Sequence, residues 1–178
     1  RWNYKEIIIM YQVNILTLYP EYFPGLLNAG NYKRARENKI WDYKVINLRE
    51  FAGSDHRADD KPFGGGSGMI IRAEVISEAL KKYKNEFEKV LLSPRGSKLD
   101  QNLVNNYSKQ NGINLICGHF EGVDQRVVDK EKIKEVSVGD YVLSGGESAS
   151  FVFLDAIIRK LPGVLGDPKS LNEESFND

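Results

Sequence analysis

Short apolar runs alternate with helix-like segments along this chain, and the alternation limits its fold more than any other sequence feature. Residues 13–18, 89–92 and 113–117 are predicted strands, and residues 41–48 alternate apolar and polar side chains as a strand does. The predicted helices are residues 22–29, 32–38, 73–83, 101–110, 123–130 and 147–161. Strands that alternate with helices are typical of an α/β domain with a mostly parallel sheet.

Three predicted strands end at turns that contain glycine or proline. The third of them is an interrupted strand over residues 136–143. The three strands end at Leu92-Ser93-Pro94, Ile116-Cys117-Gly118 and Leu143-Ser144-Gly145. In open α/β sheets, ligands bind at the carboxyl ends of the strands. If these ends point the same way, they build one pocket.

The last of these turns belongs to the most informative stretch, residues 139–147. A short apolar strand over residues 141–143 runs into Gly145 and Gly146, and Glu147 then opens a helix. Glycine has no Cβ, so the flat face of a ligand can lie directly on its backbone. The stretch therefore predicts a wall that holds a nucleoside through the main chain, although residues 141–143 also fit a core strand.

Composition narrows the class of protein. The 178 residues suit one domain, and 25 basic against 25 acidic residues give a formal net charge of zero, whereas dedicated nucleic-acid binders are usually basic. One cysteine excludes an internal disulfide and a cysteine-based zinc site. No apolar run reaches membrane-spanning length, and we expect a cytoplasmic protein. RNA binding would need a local basic surface, for which the candidates are Lys33, Arg34, Arg36, Lys39, Arg49, Arg57, Lys61 and Arg72.

The glycine-rich segment at residues 64–68 is not a standard phosphate-binding loop. It lacks the Lys-Ser/Thr ending of a P-loop, follows no predicted strand and does not fit the G-x-G-x-x-G spacing. Two interpretations stay open, a mobile surface loop and a lid that approaches a nucleotide closely.

Four motifs in a fixed order carry a family resemblance. They are residues 60–69 (DKPFGGGSGM), 92–96 (LSPRG), 117–124 (CGHFEGVD) and 139–147 (GDYVLSGGE). In this order they resemble the bacterial tRNA (guanine-37-N1)-methyltransferase family, TrmD, which belongs to the SPOUT methyltransferases. The likeness begins near Val13 and covers nearly all of the remaining chain.

The resemblance implies a fold and a cofactor. The fold is an α/β SPOUT-type sheet, mostly parallel and flanked by helices, with a deep trefoil knot towards its C-terminal end, which is a rare exception to the rule against knots. The cofactor is S-adenosylmethionine, with S-adenosylhomocysteine as product, and backbone groups of Val138, Tyr141 and Leu143 should hold the adenine. The implied cofactor-binding residues are Leu92, Ser93, Pro94, Gly118, Phe120, Glu121, Gly122, Ser137, Val138, Gly139, Asp140, Tyr141, Val142, Leu143, Gly145 and Gly146.

The resemblance also implies a reaction, methyl transfer to N1 of guanine 37 in tRNA. That nitrogen carries a proton, so the family uses an aspartate as base and an arginine to stabilise the negative charge that spreads to O6. The arginine matches Arg159, which could instead form a helical ion pair with Asp155. The base matches Glu174, where aspartate is common; Glu173 is the fallback, and a solvated linker position is the simpler interpretation.

Further expectations concern domains and partners. Residues 10–165 should form the methyltransferase domain and residues 166–178 the start of an interdomain linker, with a C-terminal tRNA-binding domain absent from this chain. The helix at residues 147–161 is apolar on nearly every side, so it should be buried all round, either in a central core or at a subunit interface. The resemblance implies a homodimer with the active site at the subunit interface, and the reaction could use Mg²⁺.

Five single residues near the motifs have simpler structural interpretations beside the functional ones. Glu121 would lie near the charged end of the cofactor or cap a helix, and Asp124 should cap the helix after it. Cys117 should pack in the core, and His119 and His56 should be surface or loop residues. Two other functions stay open: a SPOUT methyltransferase that acts on another RNA position, and a non-catalytic module that binds RNA or nucleosides.

Overall fold

The computed structural model describes residues 9–165, whose strands form one five-stranded sheet and one small hairpin-like pair. The strands are β1 (Tyr11–Thr17), β2 (Trp41–Asn47), β3 (Asp59–Asp60), β4 (Ile70–Ile71), β5 (Glu88–Lys98), β6 (Gly112–Cys117) and β7 (Lys134–Ser137). The large sheet has the order β2-β1-β6-β5-β7 and every neighbouring pair is parallel, while β3 and β4 pair antiparallel on their own. The predicted α/β class with a mostly parallel sheet is confirmed.

Five α-helices connect and cover these strands. They are α1 (Gly30–Glu37), α2 (Ala73–Lys82), α3 (Gln101–Ser108), α4 (Gln125–Lys130) and α5 (Gly146–Ile158). Asp100 and Asp124 cap α3 and α4, because their carboxylates accept hydrogen bonds from the backbone amides of Leu103 and Arg126. The capping prediction for Asp124 is therefore confirmed.

The sheet separates two apolar cores, because neighbouring side chains of one strand point to opposite faces. Leu115 and Cys117 of β6 belong to the core that contains α3 and α5, whereas Ile116 belongs to the core that contains α2 and α4. All six residues of β6 are buried, as expected of a central parallel strand covered on both faces. This burial fixes the strand whose carboxyl end carries Gly118.

The helix predicted over residues 22–29 is wrong. The structure has two short 3-10 turns, Pro20–Tyr22 and Gly25–Asn28, with Pro24 between them. Proline has no amide hydrogen and disfavours the helical conformation at the preceding residue, and Gly25 has a φ of 46°. A continuous helix cannot pass this point.

The strand predicted over residues 89–92 is longer than expected and does not stop at Pro94. β5 continues to Lys98 and pairs with β7 along both of its parts, with a register shift between Leu92 and Ser97. Leu92 and Ser97 have the same partner, Val136, so residues 93–96 bow out of the sheet between two anchored ends.

The strand predicted over residues 141–143 is also wrong. β7 ends at Ser137, and Tyr141, Val142 and Leu143 form an irregular loop in which they are 54%, 82% and 41% exposed. A run of apolar residues followed by glycine reads as a buried strand, but this run does not pack into either core. The prediction that α5 is buried on nearly every side is too strong as well, since Val152 and Asp155 are exposed.

Within residues 9–165, none of the helices has the length and apolar character that crossing a membrane requires. The same part of the chain contains no group of three or more histidine, cysteine, aspartate or glutamate side chains arranged to hold a metal ion.

Candidate functional site

One pocket of about 400 Å³ lies beside the bowed segment of β5 and the carboxyl ends of β6 and β7. Four stretches line it, residues 91–95, 118–123, 135–139 and 141–146, together with Ala149 of α5. All predicted cofactor-binding residues line this pocket except Asp140, whose carboxylate forms an exposed ion pair 3.0 Å from the Lys98 ammonium. The structure thus brings three separate sequence motifs to one cavity, as predicted. Of the three predicted strand ends, however, only the one at Cys117 is the end of a strand, since β5 continues to Lys98 and β7 ends at Ser137.

Two glycines allow the walls of the pocket to meet. The Gly146 amide donates a hydrogen bond of 2.7 Å to the Gly118 carbonyl, and His119 and Gly145 form an isolated antiparallel bridge. A Cβ on Gly146 would lie 2.7 Å from Cα of Cys117, and one on Gly145 would overlap the His119 ring. A side chain at Gly146 would therefore force the start of α5 away from the end of β6, and one at Gly145 would displace the His119 ring or the Glu147 carboxylate.

A buried carboxylate, that of Glu147, lies beside this contact between α5 and the end of β6. The Glu147 carboxylate is 1% exposed and accepts a hydrogen bond of 2.6 Å from the Thr17 hydroxyl of β1. Its other oxygen lies 3.6 Å from Nδ1 of His119. The role of Thr17 could not be predicted from the sequence, because no local sequence pattern links β1 to a residue 130 positions further along the chain.

His119 lies in the loop between β6 and α4, as predicted, but its ring is packed against neighbouring side chains. Its side chain is 18% exposed, and its ring centre lies 4.6 Å from that of Tyr19 and 4.9 Å from that of Phe120. Cys117 is fully buried, which confirms its predicted packing role; burial raises the pKa of its thiol well above the ordinary value, and the nearby Glu147 carboxylate adds to this.

The glycine-rich segment lies next to the pocket. It joins β3 to β4, and the Glu121 amide donates to the Met69 carbonyl over 2.9 Å while the Ile71 amide donates to the Gly122 carbonyl over 2.9 Å. Gly68 has a φ of 85° and lies against the Glu121 side chain. The residues that follow the segment are thus hydrogen-bonded to the pocket lining. Both interpretations of the segment, a lid and a mobile surface loop, stay predictions.

Glu121 does not cap a helix, because Asp124 takes that position at the start of α4. Glu121 is instead one of the residues that line the pocket, together with Arg95, Glu135 and His119, and its side chain lies against Gly68. Among the lining residues that the structure describes, these four are the only ones that are Asp, Glu, Lys, Arg or His.

Arg159, one of the two predicted catalytic residues, is not among the residues that line the pocket. Arg159 follows the last residue of α5, is half-buried, and its amide donates to the Asp155 carbonyl over 3.3 Å. The Asp155 carboxylate accepts a hydrogen bond from the Tyr32 hydroxyl. Glu174 and its fallback Glu173 lie outside the described residues.

The candidate basic residues for RNA binding differ in their surroundings. Arg36 pairs with Asp42 at 2.9 Å, and Arg72 pairs with Asp55 at 2.7 Å and with Glu74 at 2.5 Å. Such pairs neutralise part of the positive charge of the first half of the chain, in keeping with its zero net charge.

Comparison with known proteins identifies relatives along nearly the whole chain. Residues 11–178 match the family described as "tRNA (Guanine-1)-methyltransferase TrmD". A protein from Pelagibacter ubique named tRNA (guanine-N(1)-)-methyltransferase is 54% identical over 171 residues, which are 95% of this chain and 75% of that protein. Proteins of the same name from Bartonella henselae and Wolbachia pipientis are each 45% identical, over 94% of this chain and 73% and 72% of their own lengths.

Proposed function

The chain belongs to the tRNA (guanine-1)-methyltransferase family TrmD, so its activity is methyl transfer to N1 of a guanine in tRNA, and we propose that this guanine stands at position 37, next to the anticodon. The observation that carries the proposal is the convergence of three family-like motifs on one pocket, in a chain that matches the TrmD family over residues 11–178. The family match argues against the two alternatives from the sequence, another RNA position and a non-catalytic module.

The methyl donor of such an enzyme is S-adenosylmethionine, and the pocket fits it. Its volume of about 400 Å³ lies within the usual range for small-molecule sites. Gly145 and Gly146 line this cavity together with Val138, Tyr141 and Leu143, the residues whose main chain is expected to hold the adenine. The donor supplies a methyl group on a positively charged sulfur and leaves as S-adenosylhomocysteine.

The protein must make guanine N1 nucleophilic. We assign removal of its proton to the Glu174 carboxylate, and stabilisation of the negative charge on O6 to the Arg159 guanidinium. General base catalysis contributes roughly 10²–10⁴-fold in rate, and a donor placed on developing charge contributes a comparable amount. Arg159 is held at the end of α5, one helix length from the Gly146 turn of the pocket.

We further propose a homodimer in which each active site lies at the subunit interface. Tyr141, Val142 and Leu143 leave a strip of apolar surface at the pocket mouth, and a second copy of the chain would bury it. Residues 10–165 would form the methyltransferase domain, with its knot at the pocket, and residues 166–178 would begin a linker. Because the substrate is tRNA, we place the enzyme in the cytoplasm.

The proposal is tested by methyl transfer from labelled S-adenosylmethionine to tRNA transcripts that carry guanine or adenine at position 37. We expect label only in the guanine transcript, located at N1 by nucleoside analysis. Transfer irrespective of the base at position 37 would contradict the assigned position. Assays with added Mg²⁺ and with EDTA determine whether the reaction needs the ion.

The catalytic assignment is tested by Arg159→Ala and Glu174→Gln. Each should lower the transfer rate by roughly 10²–10⁴-fold, because charge stabilisation or proton removal is lost, while S-adenosylmethionine affinity stays close to that of the wild type. Glu173→Gln is the matched control and should retain activity. Loss of activity in Glu173→Gln with full activity in Glu174→Gln would reverse the assignment of the base.

A further inference from the structure

The pocket contains unpaired charges of both signs. Among the residues that line it, Arg95 is the cation, and Glu121 and Glu135 are the anions. None of these three side chains forms an ion pair or a side-chain hydrogen bond with any residue in the described range 9–165. Most other charged groups of the sheet edge are paired, as in the contacts of Lys89 with Glu131 and of Lys134 with Glu88.

Arg95 is held at the pocket by the bowed segment of β5. The segment is anchored where Leu92 and Ser97 both pair with Val136, and the Arg95 amide donates to the Ser93 hydroxyl over 3.3 Å. The guanidinium lies 3.5 Å from the point that a Cβ on Gly122 would occupy. Because Gly122 has no side chain, the Arg95 guanidinium can lie over this residue, next to Glu121.

A cation and an anion on one wall suit a ligand that carries both charges. Adenosine is uncharged, so neither group is needed for its binding. The methionine end of S-adenosylmethionine is a zwitterion with a carboxylate and an ammonium group. A guanidinium binds a carboxylate through two parallel hydrogen bonds, which is the strongest geometry available to a side chain.

We propose that Arg95 binds the α-carboxylate of the methionine end of S-adenosylmethionine and makes the pocket select donors that carry this group. The inference rests on the proposed function and adds a residue that binds the amino-acid end of the donor. A phosphate of the tRNA is the other anion that Arg95 could meet. It would enter a wall that already contains Glu121 and Glu135, whereas the zwitterion brings its own ammonium group to offset them.

The test compares two donors that differ only in the carboxylate, S-adenosylmethionine and its decarboxylated form. Calorimetry on the wild-type chain should show about 10- to 100-fold weaker binding of the decarboxylated form, the range expected for loss of a charge-assisted hydrogen bond. Arg95→Gln should weaken S-adenosylmethionine by a similar factor and leave the decarboxylated form nearly unchanged. Arg95→Lys keeps the positive charge but not the two parallel N–H donors of the guanidinium. Its affinity for S-adenosylmethionine should lie between those of the wild type and Arg95→Gln.

Lys109→Gln is the matched control, because it removes one exposed positive charge outside the pocket lining and should alter neither affinity. Equal weakening of both donors in Arg95→Gln, or no weakening of either, overturns the proposal. An unchanged donor affinity with a raised KM for tRNA also overturns it and assigns Arg95 to the RNA. A wild-type chain that binds neither donor contradicts the proposed function itself.

Discussion

Glu147 is a carboxylate in an apolar setting, and its neighbours explain why it is tolerated there. It is 1% exposed, and burial of an unpaired charge is costly unless hydrogen bonds compensate. The Thr17 hydroxyl donates to it, and the same hydroxyl accepts a hydrogen bond of 2.9 Å from the Tyr19 amide. One side chain of β1 thereby connects the end of its own strand to the first turn of α5.

Thr17→Val should test this connection. Valine has nearly the same shape but no hydroxyl, so the Glu147 carboxylate loses its donor and the Tyr19 amide its acceptor. We expect the free energy of unfolding to fall by about 1.5–3 kcal/mol, measured by urea denaturation. Thr17→Ser keeps the hydroxyl and should lose less. A Thr17→Val protein as stable as the wild type would show that the hydrogen bond adds nothing net.

Single residues could be predicted from the sequence where a motif fixes the local backbone. Asp124 could be identified as a helix cap because the capping rule needs only the residues that follow it. The environment of His119 could not be predicted, because its contacts with Tyr19 and Glu147 join distant parts of the chain. Long-range packing of this kind leaves no local pattern.

At the level of elements, the bowed strand β5 shapes one wall of the pocket. Gly96 lies where the bow returns to the sheet, and the backbone of Glu135 and Val136 in β7 occupies the space that a Cβ on Gly96 would need. Backbone atoms of a neighbouring strand cannot rotate away as a flexible side chain can. The close approach of β5 and β7 therefore depends on glycine at this position.

Gly96→Ala should separate the two strands locally. We expect a loss of about 1–3 kcal/mol in the free energy of unfolding, the usual cost of overpacking, together with weaker binding of S-adenosylhomocysteine. Gly64→Ala is the control, since no atom lies within 4 Å of an added Cβ there, and its unfolding midpoint should match that of the wild type. Equal midpoints for both variants would contradict the close approach.

The elements that the sequence predicted least well are those where apolar composition and structure disagree. Residues 22–29 read as a helix until Pro24 and Gly25 are given full weight, and residues 141–143 read as a strand because they are apolar. The second error has a physical cause: local sequence shows that a segment is apolar but not whether the folded chain buries it.

At the scale of the whole molecule, that apolar loop is the strongest argument for a dimer. Val142 is 82% exposed in the single chain, beside Tyr141 and Leu143. Contiguous apolar surface of this kind typically marks an interface. Its position at the pocket mouth means that the same contact would also cover the bound donor.

Val142→Asp should weaken association, because the interface would then bury an unpaired carboxylate. We expect light scattering at micromolar concentration to give the monomer mass for this variant and the dimer mass for the wild type. Lys81→Gln changes the net charge by the same amount at an exposed position of α2 and should remain dimeric. A dimeric Val142→Asp protein would exclude this loop from the interface.

The double anchoring of β5 also has a kinetic consequence. With residues 93–96 held at both ends by Val136, this wall resists opening. The glycine-rich segment is packed less tightly, since no atom lies within 4 Å of a Cβ added at Gly64, Gly65 or Gly66, and we expect this loop to move at little cost in broken contacts. We expect the residence time of a bound nucleoside to depend on how often this loop swings aside, whereas the rigid wall determines which nucleoside stays.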